Sequence, residues 1–159
     1  MKELYLKMAI KVYPVNELKD VYQQLYEAAY EAAEKAYAPY SLFKVGAAAL
    51  LDNGEIVCGN NQENAAYPSG LCAERTTLFY AGAHFPNSAV RILAIAAIKD
   101  GKRVDRVTPC GACRQVMLET EQRYDHPMQV LLCGEQEVYL IPTASDLLPL
   151  CFGKTDLSE

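Results

Sequence analysis

An α/β fold with a central mixed sheet and helices packed on its faces is what this 159-residue sequence predicts. Two observations carry that prediction. Strand-length apolar runs and helical segments follow one another in the order α-β-β-α-β-α-β-β. The run Ile92-Leu93-Ala94-Ile95-Ala96-Ala97-Ile98 is apolar without a break, as a strand buried on both faces must be.

The elements follow in order. Leu4, Leu6, Met8, Ile10 and Val12 alternate with other residues at the period of a half-buried strand, which Pro14 ends. Residues 1–15 are thus an N-terminal extension able to pair with a sheet edge or another subunit. Asn16 suits the N-cap of a long helix reaching about residue 36, with Leu18, Val21, Leu25, Ala28, Ala29 and Ala32 on its apolar face. Tyr22, Tyr26 and Tyr30 recur every four residues and read as packing residues. Strands are expected over 44–51 and 55–60, joined at Asp52-Asn53-Gly54, where Asn-Gly accepts the positive φ angles of a tight turn. A polar loop over 61–70 leads to a helix from about 72 to 82. A strand over 90–98, a helix after Pro109 and strands over 128–133 and 137–141 complete the sheet. A short helical turn near Ser145 precedes the tail Leu147-Leu148-Pro149-Leu150-Cys151-Phe152.

Bulk properties narrow the function. The length suits one domain, residues 1–159. Hydrophobic residues make up 51% and charged ones 22%, the balance of a globular protein. A formal charge of -5 opposes a polyanionic partner, so no nucleic acid is expected. No run approaches the length of a membrane span, and Lys2, Glu3, Lys7 and Lys11 interrupt any N-terminal signal core, so the expected location is cytoplasmic. In a reducing compartment the six cysteines read as metal ligands plus buried thiols, the latter being Cys58, Cys133 and Cys151. His84 and His126 each sit in a Pro-containing turn and read as surface or packing residues.

Chemistry concentrates in Leu71-Cys72-Ala73-Glu74-Arg75 and Pro109-Cys110-Gly111-Ala112-Cys113. Three thiolates leave open the fourth position that a catalytic Zn²⁺ needs, whereas structural zinc sites fill all four with protein ligands. Residues 72 and 74 lie about 200° apart around a helix. They can therefore border a common site only at the helix N-terminus. Cys110 and Cys113, three apart, converge at the start of their own helix. Positive helix ends stabilise an anionic thiolate cluster, and Arg75 can donate hydrogen bonds to a ligand sulfur. Glu74 is placed to carry protons beside the metal.

These motifs resemble the signature of zinc nucleobase deaminases in its three-cysteine form. Further runs resemble the short-chain cytidine deaminases: Tyr37-Ala38-Pro39-Tyr40-Ser41-x-Phe43-x-Val45-Gly46-Ala47-Ala48, Asn61-x-Glu63-Asn64-Ala65-Ala66-Tyr67-Pro68, and Leu147-Leu148-Pro149-x-x-Phe152. The resemblance covers about residues 16–152. It implies a three-layer α/β/α cytidine-deaminase-like fold with one Zn²⁺ per subunit on Cys72, Cys110 and Cys113. It also implies hydrolysis of cytidine or 2'-deoxycytidine to the uridine nucleoside and ammonia, in pyrimidine salvage. Glu74 would pass a proton from the attacking water to pyrimidine N3 and a second to the leaving amine. Asn61 and Glu63 would hold the ribose hydroxyls, Phe43 would pack on the base, and backbone near Ala73 and Cys110 would position base and water. Phe152 from a neighbouring subunit would stack on the base in a homotetramer. Gln62 and Thr120 depart from the family's usual residue types, and the extension before Asn16 is longer than many members carry. The rival readings are a deaminase of a modified nucleoside or nucleic-acid base on the same fold, a structural zinc module, and a Cys110/Cys113 redox pair.

Overall fold

The computed structural model describes residues 1–157, and its sheet follows the apolar runs closely. Strands β1 (Lys11–Pro14), β2 (Phe43–Leu51), β3 (Ile56–Asn60), β4 (Val90–Lys99), β5 (Lys102–Arg103), β6 (Gln129–Cys133) and β7 (Glu137–Ile141) form one sheet. Their order is β1-β7-β6-β4-β2-β3, with the short β5 paired to β4. β4 and β6 run parallel, and β2 is antiparallel to both β3 and β4, so the sheet is mixed.

Side-chain alternation sorts the strands into two cores. Ala47, Ala49 and Leu51 of β2, with Leu93 and Ile95 of β4, meet Leu78, Ala81 and Met117. Those last three belong to helices α2 (Ala73–His84) and α3 (Gly111–Tyr124). Ala48, Ile92, Ala94 and Ala96 point the other way, onto Leu25, Tyr26, Ala29 and Tyr30 of helix α1 (Asp20–Glu34). Three layers result, α1 on one face and α2 with α3 on the other. Among the described residues no helix is long and apolar enough to cross a membrane.

The tyrosines of α1 are packing residues. Tyr26 and Tyr30 are buried with their rings edge-to-face at 4.9 Å, and the Tyr26 hydroxyl donates to Gly134 O at 3.0 Å. Arg103 lies over the Tyr30 ring, 4.2 Å from its centroid. The hydroxyl of Tyr22 donates to Gln129 Oε1 at 2.9 Å. Each ties α1 to the far half of the sheet.

Four expectations need correction. The long helix does not start at Asn16. Val15–Glu17 form a 3-10 turn and α1 begins at Asp20, because Val15 N–H is already bonded to Gln136 O at 2.9 Å and holds the chain against the sheet. Only the end of the alternating N-terminal stretch is a strand; residues 1–10 pair with nothing in the sheet, since the five-residue β7 ends at Ile141 and Pro142 has no N–H to offer. At the β2–β3 hairpin only Gly54 takes a positive φ, +90°, while the Asn53 side chain accepts Glu55 N–H at 3.0 Å. Cys133 is buried and Cys151 half-buried, but Cys58 is exposed. It sits on the edge strand β3, beside the polar end of α1 near Glu31 and Lys35.

One glycine sets how closely α1 approaches the sheet. A Cβ on Gly46 would fall 2.1 Å from Ala29 O and 2.3 Å from Ala33 N, both backbone atoms of α1. Neither atom can move without the helix. Gly46→Ala is therefore expected to destabilise the protein by about 3 kcal/mol through overpacking. Urea unfolding followed by circular dichroism measures it, and a loss under half that size would mean that the helix can lift freely.

Candidate metal centre and substrate cleft

β3 and β4 are both antiparallel to β2, hence parallel to each other, and β6 runs parallel to β4. The helices that follow β3 and β4 therefore begin at the same end of the sheet. Cys72 is the N-cap of α2, with φ -73° and ψ 154°, and Cys110 is the N-cap of α3, with φ -67° and ψ 166°. Neither makes the side-chain capping bond that Ser or Asp would make there, so both thiols project toward one point. Cys113 joins them, buried, from the first turn of α3.

The three sulfurs all lie within 4.8 Å of one another. Cys72 Sγ is 3.9 Å from Cys110 Sγ, which is 3.4 Å from Cys113 Sγ. Tetrahedral thiolates at a zinc–sulfur distance of 2.3 Å stand roughly 3.8 Å apart. The donor set fits Zn²⁺ with one position left over. Hydrogen bonding from Cys113, then from Arg75 and Cys110, brings the Cys72 thiol down to about 5. Cys113 is pushed well above the usual thiol range by the same bond to Cys72 and by burial. Arg75 Nη2 donates to Cys72 Sγ at 3.6 Å, as its position beside the ligand run suggests. Its Nε is buried without a hydrogen-bond partner among the described residues.

Glu74, in the first turn of α2, is only 4% exposed. Burial raises its carboxyl pKa above the usual range, and the negative charge of Cys72 adds to the effect. The residue lines a cleft of about 550 Å³ together with Cys72, Ala73, Cys110, Tyr40, Asn61, Glu63 and Tyr67. Val45, Ile95 and Val107 supply apolar wall. An apolar cleft with a few convergent polar groups is the usual form of a small-molecule site.

Asn61 and Glu63 both border the cleft, and both also hold its rim together. Asn61 Oδ1 accepts Val45 N–H at 2.8 Å and its Nδ2 donates to Phe43 O at 3.0 Å, fastening the start of β2. Glu63 Oε2 accepts Tyr40 N–H at 2.8 Å and Ser41 N–H at 3.2 Å, and its other oxygen accepts the Ser41 hydroxyl. Those bonds hold the carboxyl below the usual range, Ser41 foremost. Phe43 is half-buried at the head of β2 and is not part of the cleft wall in the single chain. Phe152 lies on the tail, 62% exposed and outside its own chain's cleft, with its carbonyl accepting Gln115 Nε2–H at 2.8 Å. Sequence reasoning missed Tyr40, Val45, Val107 and Thr108 as lining residues. Tyr40 and Val45 sit inside the run quoted for the resemblance without a role of their own in it, and Val107 and Thr108 lie in a loop with no motif, so only the folded arrangement shows that they line the cleft. The two histidines stand apart from the cluster, His84 stacked on Tyr80 at 3.9 Å and His126 in the turn after α3.

Removing the Arg75 side chain takes away a donor to ligand sulfur, which is expected to weaken zinc binding about 10–100-fold. Competition of Arg75→Ala against a chromophoric chelator measures this. An unchanged affinity would make Arg75 a surface residue only.

Comparison with known proteins agrees with this geometry. A family model described as the cytidine and deoxycytidylate deaminase zinc-binding region matches residues 19–124. The chain is 43% identical over 138 residues to a cytidine deaminase of Halalkalibacterium halodurans, a match spanning 86% of this chain and 98% of the relative. It is 42% identical over 130 residues to a cytidine deaminase of Mycobacterium tuberculosis, spanning 80% and 86%. Among solved structures, the cytidine deaminase of Burkholderia pseudomallei superposes with a TM-score of 0.73 at 41% identity, covering 84% of this chain and all of that one. Fold, thiolate cluster and matched residues agree, and the chain belongs to the cytidine deaminase family, with Zn²⁺ as its metal.

Proposed function

We propose that this protein hydrolyses the exocyclic amine of cytidine and 2'-deoxycytidine, giving the uridine nucleoside and ammonia. The observation that carries the proposal is the buried Glu74 carboxyl, which lines a nucleoside-sized cleft beside three convergent thiols. Cys72, Cys110 and Cys113 would hold Zn²⁺, which supplies Lewis acidity toward water when bound.

The residues of the chain divide the remaining work. Glu74 takes a proton from the attacking water and passes it to pyrimidine N3, which makes C4 electrophilic. Water oxygen bonds to C4, giving a tetrahedral carbon. Glu74 then takes the proton of the new C4 hydroxyl and delivers it to the amine nitrogen; the C4–O bond becomes a carbonyl as the C4–N bond breaks, and ammonia leaves. A carboxyl with a raised pKa suits this role because it can hold the proton between the two transfers. The first turns of α2 and α3, near Ala73 and Cys110, offer backbone N–H groups and positive helix ends to the anionic centre.

Asn61 and Glu63 are assigned to the sugar hydroxyls. Glu63 already accepts three hydrogen bonds, so a carboxylate with about four acceptor directions has one left for a sugar O–H. Phe43 is assigned to the base. Phe152, exposed on its own chain, is assigned to the cleft of a neighbouring subunit in a homotetramer. One continuous sheet supports a single catalytic domain. Six free thiols support a reducing cytoplasmic setting, and the product suits pyrimidine salvage.

Loss of cytidine ultraviolet absorbance tests the reading directly. Glu74→Gln is expected to lower kcat by about 10³-fold while keeping its zinc. Zinc-replete wild type that leaves cytidine untouched would overturn the nucleoside assignment and direct attention to modified nucleosides and oligonucleotides.

A further inference from the structure

The N-terminal arm carries the largest run of exposed apolar side chains that neither the core nor the cleft uses. Leu4, Leu6, Met8, Ile10 and Val12 are 78%, 61%, 46%, 40% and 48% exposed. They occupy alternate positions, so an extended arm puts them on one face. The arm lies outside the residues that the family model matches, which begin at 19. It leads into β1, all four residues of which pair with β7, but cannot extend that ladder, because Pro142 follows β7 and lacks a donor.

Backbone parity shows where the arm can still bond. Val15 N–H donates to Gln136 O, and the register pairs Tyr13 with Val138 and Lys11 with Leu140. In an antiparallel ladder the N–H and C=O of one residue point to the same side, and those of its neighbour to the other. Odd-numbered residues of β1 thus bond to β7, and even-numbered ones direct their backbone groups to the open edge. β1 is the last strand of the sheet on that side, so the edge is free.

We infer that the open edge of the arm is an interface for the same arm of a second copy of this chain, paired antiparallel about a two-fold axis at Lys7. The sequence is self-complementary in this register. Leu4 meets the partner's Ile10 and Leu6 the partner's Met8, all on one face. Glu3 meets the partner's Lys11 at both ends of the ladder on the other face. The even-numbered pairs are then the hydrogen-bonded ones, as the parity requires, and the two Lys7 residues form a closely spaced non-bonded pair. Their like charges oppose each other, but both side chains are exposed and can splay apart. The two subunit bodies fall on opposite sides of the axis, joined by one ladder running from β7 through both arms.

Cross-linking tests the register. In a non-bonded antiparallel pair the Cα atoms stand about 4.5 Å apart, within disulfide reach. Lys7→Cys in the full chain, mildly oxidised and run on a non-reducing gel, is expected to give a covalent dimer from most of the protein. Ala9→Cys is expected to give no more than wild type under the same oxidation, since the two copies of residue 9 lie roughly 13 Å apart along the ladder. Tyr5→Cys combined with Ala9→Cys is expected to restore the dimer, because residue 5 faces the partner's residue 9. Wild type controls for the six native thiols. Equal yields at positions 7 and 9 would mean random collision of loose arms, and a Lys7→Cys yield at the wild-type level would mean that the arm takes another partner. Either result overturns the inference.

Discussion

Everything at the candidate centre depends on three strands pointing the same way. β3, β4 and β6 are parallel although β3 and β4 are separated by the antiparallel β2. A chain that leaves one strand and enters a parallel one must cross the sheet, and in proteins it does so in a right-handed sense. α2 makes that crossover between β3 and β4, and α3 makes it between β4 and β6. Both therefore start at the carboxyl ends of their strands and lie side by side on one face. Ligand groups separated by 38 positions in the chain meet because strand direction leaves them nowhere else to go.

Two buried glutamates show how environment divides work between identical side chains. Glu121 of α3 accepts Met128 N–H at 2.6 Å, Ala144 N–H at 2.9 Å, Ser145 N–H at 3.0 Å and the Thr143 hydroxyl at 2.7 Å. Its acceptor directions are used up, so it is a clamp that ties α3 to β6 and to the 3-10 turn Ala144–Leu147. Glu74 faces its own backbone N–H, the Cys113 thiol and the charges of Cys72 and Arg75, and it lines the cleft. A saturated carboxylate holds structure; an unsaturated one in a dry setting can trade protons.

The sheet was legible in the sequence because its signals are local. Strand-length apolar runs, Gly54 and Pro109 each act on near neighbours, and β2, β3, β4, β6 and β7 fall within two residues of the expected strands, whereas the N-terminal strand was expected too early and β5 was not expected at all. The thiolate cluster was legible because a ligand run at a helix start constrains spacing. The start of α1 was not, since what delays it is a bond from Val15 to Gln136, 121 positions further along the chain. The exposure of Cys58 was hidden for a similar reason: its apolar surroundings in sequence do not reveal that β3 is an edge strand. Glu121 gave no signal, because an acid on a helix looks the same whether it meets water or four donors.

The amide of Asn61 bridges Phe43 O and Val45 N–H, and Glu63 collects the turn at Tyr40 and Ser41. The side chains proposed to grip the sugar are thus also the fasteners of the rim they belong to. Evolution cannot readily retune this end of the cleft one residue at a time, because a new contact to ligand must also replace a backbone fastening. Divergence of sugar preference on this scaffold should proceed through paired changes, one restoring the rim that the other loosened.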